Sequence, residues 1–223
     1  MNWLRMGAMV LAGALMVGVS AAPAAAGVPT DQLKGAVERV LKTLDDPALK
    51  GEGRLPERRV AVRKIANEIF DFSEIAKRSM ARHWQPLSEA QRTEFVGLFA
   101  DLLERSYISK IETYGGEKIQ YTAERADGEF ATVSTRIITK NGTEVPVDYR
   151  MIKRADRWLV YDVSIEGVSL VSNYRTQFNK IIQTASYAEL IRRMKSKQAE
   201  VSLDDDPKKK DDEPKKKPAP RTP

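Results

Sequence analysis

KIQYTAERADGEFATVSTRIITKNGTEVPVDYRMIKRADRWLVYDVSIEG, residues 118–167, decides the fold. Apolar and polar side chains alternate here with a period of two, and three turn signals interrupt them. The stretch therefore reads as four consecutive antiparallel strands near 118–125, 129–139, 143–153 and 157–166. Turn length sets the register. A three-residue loop at Lys140-Asn141-Gly142 pairs Ile137 with Val145, Thr135 with Val147 and Val133 with Tyr149, and gives Gly142 the left-handed position of a bulged turn. A two-residue loop would set Val147 against Arg136 and mix the faces. The same loop length at Ala126-Asp127-Gly128 predicts Tyr121 opposite Val133. At Arg154-Ala155-Asp156 it predicts Met151 opposite Leu159 and Tyr149 opposite Tyr161. One apolar face results, running through Ile119, Tyr121, Ala131, Val133, Ile137, Val145, Val147, Tyr149, Met151, Leu159, Tyr161, Val163 and Ile165.

Such a face must be covered, and the flanking sequence supplies helices on both sides. Upstream, Thr30-Asp31 is expected to cap a helix whose Leu33, Val37, Val40, Leu41 and Leu44 form a stripe. Pro56 suits the first turn of a second helix carrying Ala61, Ile65 and Ile69. A short helix is expected from Ser73 to Ala81. Ser88-Glu89-Ala90-Gln91 then opens a long one as a capping box, with Phe95, Leu98, Phe99, Leu102 and Leu103 inward, before Gly115-Gly116 ends it. Downstream of Gly167, Leu170, Val171, Tyr174, Phe178, Ile181 and Ile182 recur at helical spacing, and Ser186-Tyr187-Ala188-Glu189 caps a last helix. The expected fold class is α+β, a four-stranded curved antiparallel meander covered on one face by several helices and enclosing an apolar pocket.

The ends differ in kind. Arg5, the apolar run from Met6 to Val19 and the small residues up to Ala26 read as a secretory signal peptide, cleaved near Ala26/Gly27. The run falls short of the roughly 20 residues a helix needs to cross a bilayer. Residues 27–199 form the expected domain and 200–223 a disordered charged tail of alternating Lys, Asp and Pro blocks. With no cysteine, the chain has no lipidation site, disulfide or thiolate metal site. Its 37 basic and 31 acidic side chains give a net charge of +6, but the two signs are interleaved, so no nucleic-acid footprint is expected.

Chemistry is not signposted. The one histidine, His83, stands before a proline turn with no nucleophile motif beside it, and reads as a packing or capping residue. No His and carboxylate cluster has ligand spacing, so no metal site and no catalytic residue are assigned. Asp148 and Asp162 become cross-strand neighbours in the derived register, flanked by Arg150 and Arg136, and read as a charge network rather than a proton-sharing dyad. Arg78, Arg82 and Arg150 are candidate docking cations whose default role is solvated surface.

Several stretches carry a family resemblance: Phe70-Asp71-Phe72, Trp84, Gln91 with Phe95 and Phe99, Leu102-Leu103 with Tyr107, Val147-Asp148-Tyr149-Arg150, the run Trp158 to Val171, Asn173-Tyr174-Arg175 and Gln177-Phe178. Together they resemble the MlaC family, the toluene-tolerance family of periplasmic lipid-binding proteins, over about residues 30–196. The resemblance implies a monomeric periplasmic phospholipid carrier without enzymatic activity or cofactor. Its implied partners are an inner-membrane ABC transporter with an MCE-domain protein and an outer-membrane lipoprotein complex. A hopanoid or other polycyclic cargo, and an envelope enzyme acting on lipid, remain alternatives. Acyl chains would lie between sheet and helices. The candidate contacts are Phe72, Phe99, Leu102, Tyr107, Ile111, Val171, Tyr174 and Phe178 from helices, and Val133, Val147, Tyr149, Met151, Tyr161, Val163 and Ile165 from strands.

Overall fold

From Gly27 to Ser196, the residues that the computed structural model describes, four helices lead into a sheet and two follow it. They are α1 (Val28–Asp45), α2 (Leu55–Ile69), α3 (Phe72–Met80) and α4 (Glu89–Glu112), then α5 (Leu170–Thr184) and α6 (Tyr187–Lys195). Between them run β1 (Lys118–Asp127), β2 (Phe130–Ile138), β3 (Glu144–Arg154), β4 (Arg157–Ile165) and the two-residue β5 (Val168–Ser169), hydrogen-bonded in that order and all antiparallel. The α+β meander is as expected, with one short strand more. The expected leader and the charged tail lie outside the described residues.

Local chemistry explains most helix ends. Ser88 and Gln91 make the reciprocal capping box at α4: the Ser88 N–H donates to Gln91 Oε1 at 2.9 Å and the Gln91 N–H to Ser88 Oγ at 3.3 Å. Ser186 caps α6 by accepting from the Glu189 N–H at 3.1 Å, while the Glu189 carboxylate turns to Arg192 and Arg193 instead of completing the box. The α1 start differs from the expectation. Gly27, not Thr30 or Asp31, precedes the helix, and Thr30 serves a tertiary contact: its N–H and hydroxyl donate to the Glu124 carboxylate on β1 at 2.9 and 2.6 Å. In α2 the buried stripe is Val62, Ile65 and Ile69, one position from Ala61.

The β2–β3 hairpin has the expected register, Ile137 to Val145, Thr135 to Val147 and Val133 to Tyr149, with Gly142 at φ +83°. The other two hairpins do not. Each turns in two residues, with Asp127 paired to Phe130 and Arg154 to Arg157. Val133 therefore faces Glu124, and Tyr121 faces Thr135. Met151 faces Val160, and Tyr149 faces Val163. A bulge in each pair, between Tyr121 and Ala123 and near Tyr161, restores the alternation further along. Leu159 and Tyr161 consequently leave the apolar face, and Trp158 and Val160 take their places.

The apolar side chains sort into two clusters. One comprises Leu33, Ala36, Ile65 and Ile69 of α1 and α2 against Ala131, Val133, Met151, Trp158 and Val160 of the sheet. The other joins α3 to α6 through Ile75, Met80, Phe95, Phe99, Leu102, Val171, Tyr174, Phe178, Leu190 and Met194, with Tyr161 packed against it. Phe70, between α2 and α3, packs against both and forms an isolated parallel bridge with Val160. The helices are thus divided between two sides of the sheet: α1 and α2 meet the face carrying Met151, whereas Asp162, opposite Arg150 on the other face, bonds to the start of α5.

Candidate functional site

The helical cluster gathers most of the helix residues singled out from sequence. Phe99, Leu102, Val171, Tyr174 and Phe178 are buried in it, and Phe72, Tyr107 and Tyr161 pack against it. Aromatic edges organise its centre. Phe99 meets Tyr174 and Phe178 edge-on, each with ring centroids 5.0 Å apart, and Phe95 meets Phe178 at 5.6 Å. Such pairs each add about 0.5–1.5 kcal/mol beyond area burial. Phe95 and Phe70 belong to this assembly but were not singled out as contacts. Their signal was present, since Phe95 lies four residues before Phe99 on one helical face.

The other strand residues go elsewhere. Val133 and Met151 are buried in the sheet cluster, Tyr149 and Val163 pack on it, and Val147 is buried outside both clusters. Ile111 and Ile165 are 38% and 39% exposed and belong to neither. Twelve of the fifteen residues thus fall on two packed surfaces, eight with the helical cluster and four with the sheet cluster. Two clefts of about 340 and 320 Å³ open on the surface. The first lies between α1 and the end of α2, lined by Asp31, Arg39, Glu68 and Arg157 among others, and the second beside Trp84 and Arg92. None of the candidate contacts lines either one.

Polar groups lock the frame around the helical cluster. The Asp162 carboxylate is 3% exposed and accepts from Ser169 Oγ at 2.6 Å and from the Val171 N–H at 3.0 Å, with Arg150 Nη1 at 3.4 Å. The bulge near Tyr161 puts Asp162 opposite Arg150 and Asp148 opposite Ser164, so the cross-strand Asp148–Asp162 pairing does not form. Asp71 caps α3 and accepts from Arg154 Nε at 3.0 Å, and Glu74 bridges Arg154 and Arg78. The Arg78 guanidinium lies 4.1 Å from the centre of the Tyr161 ring, and Arg175 Nε donates to the Arg78 carbonyl at 3.0 Å. In these pairs the acids are sunk and the guanidiniums lie nearer the surface. His83 Nε2 sits 3.0 Å from Asn179 Oδ1, a link between the end of α3 and α5.

Burial acts on the tyrosines in one direction. It pushes the hydroxyls of Tyr107, Tyr114, Tyr121, Tyr149, Tyr174 and Tyr187 above the ordinary value, so they remain neutral donors at physiological pH. Among the described residues, no group of His, Cys, Asp and Glu could hold a metal ion.

Comparison with known proteins follows this geometry. The family model described as MlaC protein matches residues 34–196. The intermembrane phospholipid transport system binding protein MlaC of Haemophilus influenzae is 24% identical over 138 residues, covering 58% of this chain and 64% of that protein's length. The toluene tolerance protein ttg2D of Pseudomonas putida is 24% identical over 182 residues, covering 81% of this chain and 83% of its own. Among solved structures, the phospholipid-binding protein of Ralstonia solanacearum in complex with a phospholipid superposes with a TM-score of 0.69 and 28% identity, covering 78% of this chain and 98% of that one.

Proposed function

The chain belongs to the MlaC family, and from that premise we propose that it is a periplasmic phospholipid carrier moving lipid between the inner and outer membranes. The likeness to the Ralstonia phospholipid complex over nearly all of that chain carries the reading. Its phospholipid also favours a two-chain lipid over a polycyclic one as cargo. Each buried methylene contributes about 0.8 kcal/mol, so an apolar interior competes with a bilayer, and handover needs only docking beside a comparable site. No bond is made or broken in this scheme, and no cofactor takes part.

The cargo site is the seam between the two apolar clusters. Phe70 touches both, and the helical side supplies the aromatic stack around Phe99 and Phe178. Acyl chains entering there separate α3–α6 from β4 and exchange protein contacts for lipid contacts of similar energy. The arginine-rich side around Arg78, Arg154 and Arg175 is the docking surface. Its partners are an inner-membrane ABC transporter with an MCE-domain protein and an outer-membrane lipoprotein complex. The leader exports the chain and is removed near Ala26/Gly27, leaving a monomer.

Purification of the full-length product from bacterial cells, followed by native mass spectrometry and lipid extraction, tests the reading. Stoichiometric diacyl phospholipid is the expected result. A protein that emerges free of lipid and takes none from phospholipid vesicles overturns it.

A further inference from the structure

The largest polar side chain inside the helical cluster has a hydroxyl without a partner. Tyr174 is 0% exposed, with rings of Phe99 and Phe178 against it at 5.0 and 5.5 Å, yet its hydroxyl makes no hydrogen bond. Ser106 is close enough to act on this hydroxyl, but it gives its own hydrogen to the Leu102 carbonyl at 2.9 Å and does not meet the phenol in hydrogen-bond geometry. A buried donor left unsatisfied costs about 1–3 kcal/mol, and phenylalanine would fill the same volume without that cost. The second orphan hydroxyl among the described residues, Ser79 Oγ, is on α3 between Ala76 and Met80 of the same cluster. Unmet polarity of this type is thus confined to the helices on the proposed cargo seam.

We propose that the Tyr174 hydroxyl donates to an ester carbonyl oxygen of the bound lipid. This rests on the carrier reading and adds to it a chemical requirement on the cargo. The surroundings select the acceptor. Among the described residues no Lys or Arg is buried, so a phosphate drawn this deep would be an unpaired buried charge, whereas an ester carbonyl is neutral. An ester also stands at the head of an apolar chain, the one place on a diacyl lipid where an acceptor adjoins methylenes that such a cluster can enclose. Burial keeps Tyr174 protonated, so the hydrogen is there to give.

Competition between dipalmitoyl phosphatidylglycerol and its di-O-hexadecyl ether analogue for the delipidated full-length protein, read by native mass spectrometry, isolates this contact, because the ether lacks only the carbonyls. The unaltered chain should take up the ester about tenfold in preference, equivalent to about 1.4 kcal/mol. In Tyr174→Phe the ratio should approach one, with the lipid-free protein at least as heat-stable. Equal uptake of ester and ether by the unaltered chain overturns the inference while leaving the carrier reading intact, whether or not the variant folds. So does a preference that survives in Tyr174→Phe, the outcome if the hydroxyl is met by a trapped water. Uptake of neither lipid brings down the carrier reading and the inference with it.

Discussion

At the scale of single residues, Asp162 holds the most consequential position. Its two oxygens tie the first turn of α5 to β4 through Ser169 and Val171, and Arg150 covers them from β3. Removing a buried hydrogen-bonded carboxylate strands these donors, so Asp162→Ala should lower unfolding stability by about 3 kcal/mol. Urea denaturation measures this, and a loss below about 0.5 kcal/mol would show that the contact is replaceable. The sequence located Asp162 but paired it with the wrong residue. Two aspartates alternating on adjacent strands look identical whether they face each other or an arginine, and one bulged residue decides between the two.

Elements show where sequence legibility ends. The capping box of α4 was readable because Ser88 and Gln91 carry the cap in their own side chains, and Ser88→Ala should cost about 1 kcal/mol in thermal or chemical unfolding. The Lys140-Asn141-Gly142 turn was readable because Gly142 marks its left-handed position. Ala155, at φ +50°, carries no such mark, and the bulges near Thr122 and Tyr161 fall in ordinary strand formers. The corrected β4 register makes a sharp prediction. Val160 is fully buried opposite Met151 and Leu159 is only partly buried, so Val160→Lys should cost about 3 kcal/mol or more and Leu159→Lys about 1 kcal/mol or less. Soluble expression and circular-dichroism melts distinguish the two, and the reverse order would restore the three-residue turn.

For the whole molecule, titration behaviour follows from the buried phenols and the paired acids. Six tyrosine hydroxyls are held above their ordinary value by burial. The unfolded chain therefore sheds protons near pH ~10 that the native chain keeps, and stability, complete below that pH, declines as pH rises past it. Glu112 is lowered by its bond to Arg59, and Glu189 is lowered to about 2 by its bonds to Arg192 and Arg193. Their contribution is present above the unfolded carboxylate value near ~4.3 and is lost as pH falls below it, modestly at Glu189 because its arginine partners are solvent-screened. Calorimetric Tm should hold a plateau from about pH 5 to about pH 10 and decline more steeply on the alkaline side. A steeper acid limb would mean that surface ion pairs, not the phenols, dominate. Fold class was legible at this scale because periodicity changes from two to helical across the chain. The division into two apolar clusters was not, since a one-dimensional pattern shows that a face is buried but not which helices bury it.

That division also gives the molecule its own optical instrument. Beyond Trp3 in the expected leader, the indoles are Trp84, packed on the helical cluster, and Trp158, buried in the sheet cluster. Each cluster thus carries one fluorophore, and Trp84→Phe and Trp158→Phe turn the protein into paired single-colour reporters. If cargo parts the helices from β4 while α1 and α2 stay seated, adding phospholipid vesicles should shift the emission of Trp84 and leave that of Trp158 nearly still.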